Sequence, residues 1–219
     1  MEAYKIIKEE DESSMVSIAH NMELFYPASN FFLDKIVANY ISDLYNYKIL
    51  DSLIEGVIKK PFGKDEVISD LKNSLDFIGV NYYTRAFVKY HPFKIFAEKK
   101  RKNAILTDFG YEYYPEGIYE ILMNLKKYNK KILITEHGIA DREDKLRKDF
   151  LIKAIDSVKK AKNEGVQVFG YMYWSLMDNF EWIEGYSMKF GLFEVDFKTL
   201  ERKPRESAYL YRDLCSKEI

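Results

Sequence analysis

One cysteine, Cys215, stands in 219 residues, which excludes an internal disulfide framework and a thiolate metal cluster. Charge of one sign is lacking too: 34 Lys and Arg face 35 Asp and Glu, leaving a net charge of −1. Such a balance gives no electrostatic case for nucleic acid or an anionic membrane as partner. No apolar run approaches the ~20 residues of a membrane-spanning helix. The opening "MEAYKIIKEEDESSM" is charged and holds no long apolar stretch, so no signal peptide is expected. With the scarcity of cysteine, this agrees with a cytoplasmic location. His20, His91 and His137 show no metal-ligand spacing, and no Gly-rich phosphate cradle accompanies Arg85 or Lys189. Neither a metal nor a cofactor is expected. The charged runs "AEKKRK" and "IKEEDE" read as solvated faces.

Aromatics, by contrast, are abundant at 16%, with 18 Tyr, 15 Phe and 2 Trp. They serve either a large core or stacking platforms for ring-shaped ligands. The chain alternates short apolar runs with helical patterns. "MVSIAHNM", Met15 to Met22, reads as a strand, followed by a Tyr26-Pro27 turn. A helix is predicted from about Asp34 to Glu55, with Ile36, Val37, Tyr40, Ile41, Leu44 and Tyr47 on one face and Gly56 as its stop. A second strand spans Leu75 to Tyr83. After a long polar loop, a helix begins near Pro115 with Ile118, Ile121, Leu122, Leu125 and Tyr128 on its buried side. A third strand, Lys131 to Thr135, precedes a helix from about Asp144 to Asn163, stopped by Gly165. A fourth spans Val168 to Trp174. Alternation of this kind predicts one domain with a parallel sheet and crossover helices. A closed parallel barrel needs eight strands and about 250 residues, more than the long loops here leave room for.

Polar and aromatic residues collect past the carboxyl ends of these strands: Asn81 to Arg85, then Glu136 and His137, then Trp174 to Phe197. Strand ends of a parallel sheet are where chemistry gathers. The last segment sets Trp174 and Trp182 beside Glu181, indoles for the C–H faces of a sugar and a carboxylate for paired hydroxyls.

"ITEHGIAD", "FIGVNYYTR" and "YWSLMDNFEWIEGYSMKFGLFEVDF" resemble the family 1 glycoside hydrolases, retaining β-glycosidases built on a (β/α)₈ barrel. The resemblance runs from about Ala3 to the final residue. It implies an α/β fold that is half of a TIM barrel, four parallel βα units corresponding to strands five to eight. It also implies roles. Glu136 falls on the nucleophile, in a motif usually written Ile-Thr-Glu-Asn-Gly, with His137 in place of the Asn. Tyr83 falls on the tyrosine that hydrogen-bonds the nucleophile. Asn81, Trp174, Glu181, Trp182 and Phe190 fall on residues that hold the sugar, Glu181 by chelating its hydroxyls.

The family's Thr-x-Asn-Glu-Pro motif, which carries the acid/base glutamate, does not occur in the sequence. Glu23, just past the first strand, is not its substitute, because the family's acid comes from the preceding strand. A retaining mechanism needs two carboxyl groups about 5–5.5 Å apart. The resemblance therefore implies a β-glycosidase part that hydrolyses β-linked glucosides or galactosides only with a complementary N-terminal half, and is inactive or weak alone. The alternative is a catalytically silent sugar-binding half-barrel, or a truncated product that closes its sheet edges by self-association.

Overall fold

A computed structural model describes residues 2–72, 74–94, 97–98, 101 and 103–216, the pair at 97–98 by backbone alone. Its main sheet carries four parallel strands, β1 (Ala19–Pro27), β2 (Phe77–Lys89), β3 (Lys131–His137) and β4 (Val168–Tyr173), hydrogen-bonded in that order. The helices are α1 (Glu2–Glu10), α2 (Phe32–Ser42), α3 (Lys48–Glu55), α4 (Gly117–Leu125), α5 (Arg147–Asn163) and α6 (Glu206–Cys215). Sequential strand order with a helix after each strand makes four parallel βα units. Among the described residues no strand pairs the outer edge of β1 or of β4, and the sheet does not close into a barrel.

The main core lies between the sheet and its helices. Ile78, Val80 and Tyr82 of β2 alternate onto the helix side, where Ile132 and Ile134 of β3 and Met22 and Leu24 of β1 join them. Against them α4 packs Ile118, Ile121, Leu122 and Leu125, all buried, as the helical spacing predicts. The expected α5 face, with Phe150, Leu151, Ala154, Ile155 and Val158, is buried too. That helix starts at Arg147 rather than Asp144, because Asp141 caps it: its Oδ2 accepts the N–H groups of Leu146 (2.8 Å) and Arg147 (3.0 Å).

Other elements differ from expectation as well. The second strand runs on to Lys89 rather than ending at Tyr83, so Asn81 to Arg85 lie within it and not past its end. The first strand begins at Ala19, not Met15, and runs through the expected Tyr26-Pro27 turn, since β1 stays paired with β2 as far as Pro27 opposite Val88. Val16 is instead held by Asp76: its N–H donates to Asp76 Oδ2 (2.8 Å) and its carbonyl accepts the Asp76 N–H (2.8 Å). The long helix is broken into α2 and α3 by a π-helical turn, Asp43–Tyr47. This extra residue per turn rotates the helix face. Asn46 within the turn and Leu50 beyond it are buried; within α2, before the turn, Ile41 is buried as expected and Ala38 with it, whereas Ile36 and Tyr40, expected inside, are exposed. Asn46 explains the turn's orientation: its amide donates to the Glu23 carbonyl (2.8 Å) and accepts from the Glu23 N–H (3.0 Å), tying helix to strand. Gly56 stops α3 in the left-handed region at φ 77°, as expected.

The charged runs are not merely solvated. Lys8, in "IKEEDE", pairs with Asp76 at 2.9 Å. Of "AEKKRK" only Arg101 has a described side chain, and its Nε donates to Glu112 at 3.0 Å; the side chains of the rest lie outside what is described.

Pairing between β2 and β3 slips by one residue: Val80 faces Ile134, but Asn81 faces Glu136. Without that bulge, Glu136 would pair with Tyr82, which is fully buried on the helix side. The slip turns its carboxylate to the opposite face, alongside Asn81.

Candidate active site

On that face, in register across three strands, lie Asn21 of β1, Asn81 of β2 and Glu136 of β3. They floor an open cleft of about 370 Å³. All seven residues singled out above line it: Asn81, Tyr83, Glu136, Trp174, Glu181, Trp182 and Phe190. Glu136 lies within the end of β3 rather than in a loop. The Tyr83 hydroxyl donates to Glu136 Oε2 at 2.5 Å. Asn81 is fixed by Thr135, whose hydroxyl donates to Asn81 Oδ1 at 2.6 Å.

Electrostatics follow from that arrangement. Burial first, then the hydrogen bond to Glu136 and the charges of Glu136 and Glu181, drive the Tyr83 phenol far above its ordinary pKa. It therefore stays a proton donor to the carboxylate. Burial, and then the negative charge of Glu136, raise Glu181 above the ordinary carboxylate value. Two carboxyl groups thus share one cleft.

Phe190, only 5% exposed, packs edge-on to Tyr83 with ring centres 6.1 Å apart, forming the cleft wall. Trp182 is 82% exposed at the rim. Trp174 follows β4 directly, and its N–H donates to the His137 carbonyl at 3.2 Å. This approach needs Gly138: a Cβ there would lie 1.8 Å from the Trp174 carbonyl oxygen. The segments bearing Glu136 and Trp174 therefore touch backbone to backbone.

Asn21, Phe109 and Tyr111 also line the cleft and were not anticipated. Phe109 and Tyr111 stack with centres 4.5 Å apart in the loop before α4. The aromatic and glycine residues of "DFGYEYYP" were the available signal there. Asn21 donates to the Tyr45 hydroxyl at 2.7 Å, a partner that only the π-turn brings near. A further unanticipated residue is Arg147, fully buried. It donates to the Tyr173 hydroxyl (2.9 Å) and to the carbonyls of Asp141 (2.6 Å) and Lys189 (2.9 Å), binding the loop after β3 to the return of the Trp182 loop.

Other sequence candidates lie elsewhere. The His137 ring is wholly buried on the helix side, against Phe150 and Tyr82, with ring centres 4.6 and 5.4 Å away. Glu23 lines a separate apolar groove with His20, Phe25 and Ile41, not the cleft. Arg85 is occupied by Glu112 (2.7 Å) and stacks over Tyr114, 3.6 Å from the ring centre. Lys189 lies 3.9 Å from Asp178.

Comparison with known proteins agrees over nearly the whole chain. The sequence is 37% identical to a β-galactosidase of Sulfolobus acidocaldarius, over 97% of this chain but 45% of that protein. A β-glucosidase of Thermotoga maritima, solved with glucoimidazole, superposes with a TM-score of 0.88 at 33% identity, covering 98% of this chain and 53% of that one. A β-glycosidase from Pyrococcus horikoshii gives 0.87 at 38% identity, covering 97% and 51%. The chain spans about half the length of the relatives it matches. Residues 1–219 match the family described as glycosyl hydrolase family 1 throughout, and the chain belongs to that family.

Proposed function

We propose that this chain supplies the nucleophile side of a retaining β-glycosidase active site. Glu136 attacks the anomeric carbon of a β-linked glucoside or galactoside. A carbon–oxygen bond to the carboxylate forms as the bond to the leaving oxygen breaks, and water later releases the sugar with retained configuration. Tyr83 steadies the carboxylate through its hydroxyl. Asn81, Trp174, Glu181, Trp182 and Phe190 hold the sugar, the indoles by stacking and Glu181 by accepting hydroxyl protons. The observation that carries this reading is the Tyr83–Glu136 hydrogen bond inside a cleft walled by aromatic rings. The names of the relatives, β-galactosidase and β-glucosidase, support both epimers as substrates.

The proton for the leaving oxygen comes from a complementary N-terminal half carrying Thr-x-Asn-Glu-Pro, seated along the unpaired edges of β1 and β4. Missing a general acid costs about 10²–10⁴ in rate, so the chain alone is slow.

The test separates the nucleophile from the acid. A 2-deoxy-2-fluoroglucoside with a dinitrophenyl leaving group needs no protonation. Mixed with this chain and a complementary half from a relative, it should add one fluorosugar mass at Glu136, and Glu136→Gln should abolish the adduct. Hydrolysis of an ordinary aryl β-glucoside should require both halves. A mixture that binds glucoimidazole but never labels Glu136 would refute the catalytic reading and mark a sugar-binding chain.

A further inference from the structure

Both tryptophans of the chain, with Glu181 and Phe190, sit on the segment that leaves β4 and returns at Phe193. Its base is a ladder of backbone bonds. The Leu192 N–H donates to the Ser175 carbonyl (2.9 Å), the Phe193 N–H to that of Leu176 (2.9 Å), and the Asp178 N–H to that of Phe193 (3.0 Å). Beyond Asp178 the chain departs on the excursion that carries Glu181 and Trp182, and it rejoins the ladder at Phe190 and Gly191.

A buried ion pair closes this junction. Asp178, with no side-chain exposure, accepts Arg205 in a fork, Nη1 to Oδ1 at 3.1 Å and Nη2 to Oδ2 at 2.9 Å. Its Oδ1 also accepts the Gly191 N–H at 2.9 Å, and Arg205 Nη1 donates to the Gly191 carbonyl at 2.7 Å. Backbone contact is so close that a Cβ on Gly191 would lie 2.2 Å from the Asp178 nitrogen. A buried pair is a poor device for stability, because desolvating both charges cancels much of their attraction. A planar fork that also holds both amide groups of one glycine is a good device for fixing geometry.

We propose that Asp178 and Arg205 are the positioning pair of this loop: by joining its departure to its return, they set where Trp174, Glu181, Trp182 and Phe190 stand in the cleft. Neither touches substrate. That the loop recognises sugar rests on the β-glycosidase reading; that the pair orients it does not.

The two indoles report on the loop directly. Arg205→Lys keeps the charge and loses the fork, and Asp178→Asn keeps an acceptor for Gly191. Each variant is compared with wild type by far-ultraviolet circular dichroism, by the two indole N–H resonances, and by glucose titration. The expected result is an unchanged fold, shifted indole resonances in Arg205→Lys, and glucose affinity lowered at least about tenfold, since misplacement by about 1 Å at a site costs that much or more. Folded variants whose indole resonances superimpose on wild type would overturn the proposal, even if their melting temperatures fall. Should Asp178→Asn fail to fold, Arg205→Lys decides. A wild-type chain that ignores glucose even when mixed with a complementary half would count against the β-glycosidase reading alone, with the indole readout still deciding the role of the pair.

Discussion

His137 adjoins Glu136 yet is built into the core, and that placement fixes how stability responds to acid. Its ring lies among Tyr82, Phe150 and Tyr171; Nδ1 is 3.1 Å from the Tyr171 hydroxyl, and Nε2 has no protein partner among the described residues. Burial lowers its pKa from 6.5 to about 3. In the unfolded chain the ring takes up a proton near its ordinary value, and in the folded chain it does not. Stability from this group is therefore intact above pH 6.5 and is lost progressively as pH falls toward 3. At about 1.4 kcal/mol per pKa unit, the loss is about 2 kcal/mol between pH 7 and 5, and about 5 kcal/mol in full. For a chain of this size 2 kcal/mol corresponds to roughly 4–8 °C in Tm. His20, whose pKa burial also lowers, contributes with the same sign. The measurement is consequently a difference: urea unfolding at pH 7 and pH 5 for wild type and His137→Phe, with His137→Asn as a smaller replacement. Both variants should lose about 2 kcal/mol less than wild type across that interval. Equal losses in all three proteins would refute the reasoning.

Tyr83→Phe removes the hydroxyl that donates to Glu136. In the two-half mixture it should lower kcat/KM for an aryl β-glucoside about 10- to 100-fold, the worth of a hydrogen bond to a charged group, while leaving Tm nearly unchanged. Arg147→Met removes the buried guanidinium that donates to the carbonyls of Asp141 and Lys189 and to the carboxylate of Asp144, leaving each with a backbone N–H alone. It should cost about 3–5 kcal/mol in chemical unfolding, whereas a loss below about 1 kcal/mol would show that water or rearrangement fills the gap. Gly138→Ala drives a methyl group into the Trp174 carbonyl. It should shift the Trp174 indole resonance as well as the melting temperature.

Much of the architecture is legible in local pattern. The buried faces of α4 and α5 repeat at helical spacing, and the apolar runs of β2, β3 and β4 announce strands. What escapes reading depends on partners distant in the chain. The π-turn at Asp43–Tyr47 follows from Asn46 gripping the backbone of Glu23, and nothing in the helical pattern signals it. The ends of β1 are set by its pairing with β2 and by Asp76. Within the cleft, the motifs name the carboxylates and indoles directly. Asp178 and Arg205 are 27 residues apart, each unremarkable alone, and only the fold joins them. Asn21 reads as an ordinary strand residue until register aligns it with Asn81 and Glu136.

The single-residue slip between β2 and β3 has a consequence for which side chain chemistry can use. Strand parity alone decides whether position 136 or position 137 looks outward, and the two carry very different groups. If β3 were straightened without removing a residue, the imidazole would swing into the opening and the anion would be driven among tyrosine and phenylalanine rings. A deletion at Thr135 with the bulge kept would likewise set the imidazole opposite Asn81, so engineering of this strand must preserve the count as well as the letters.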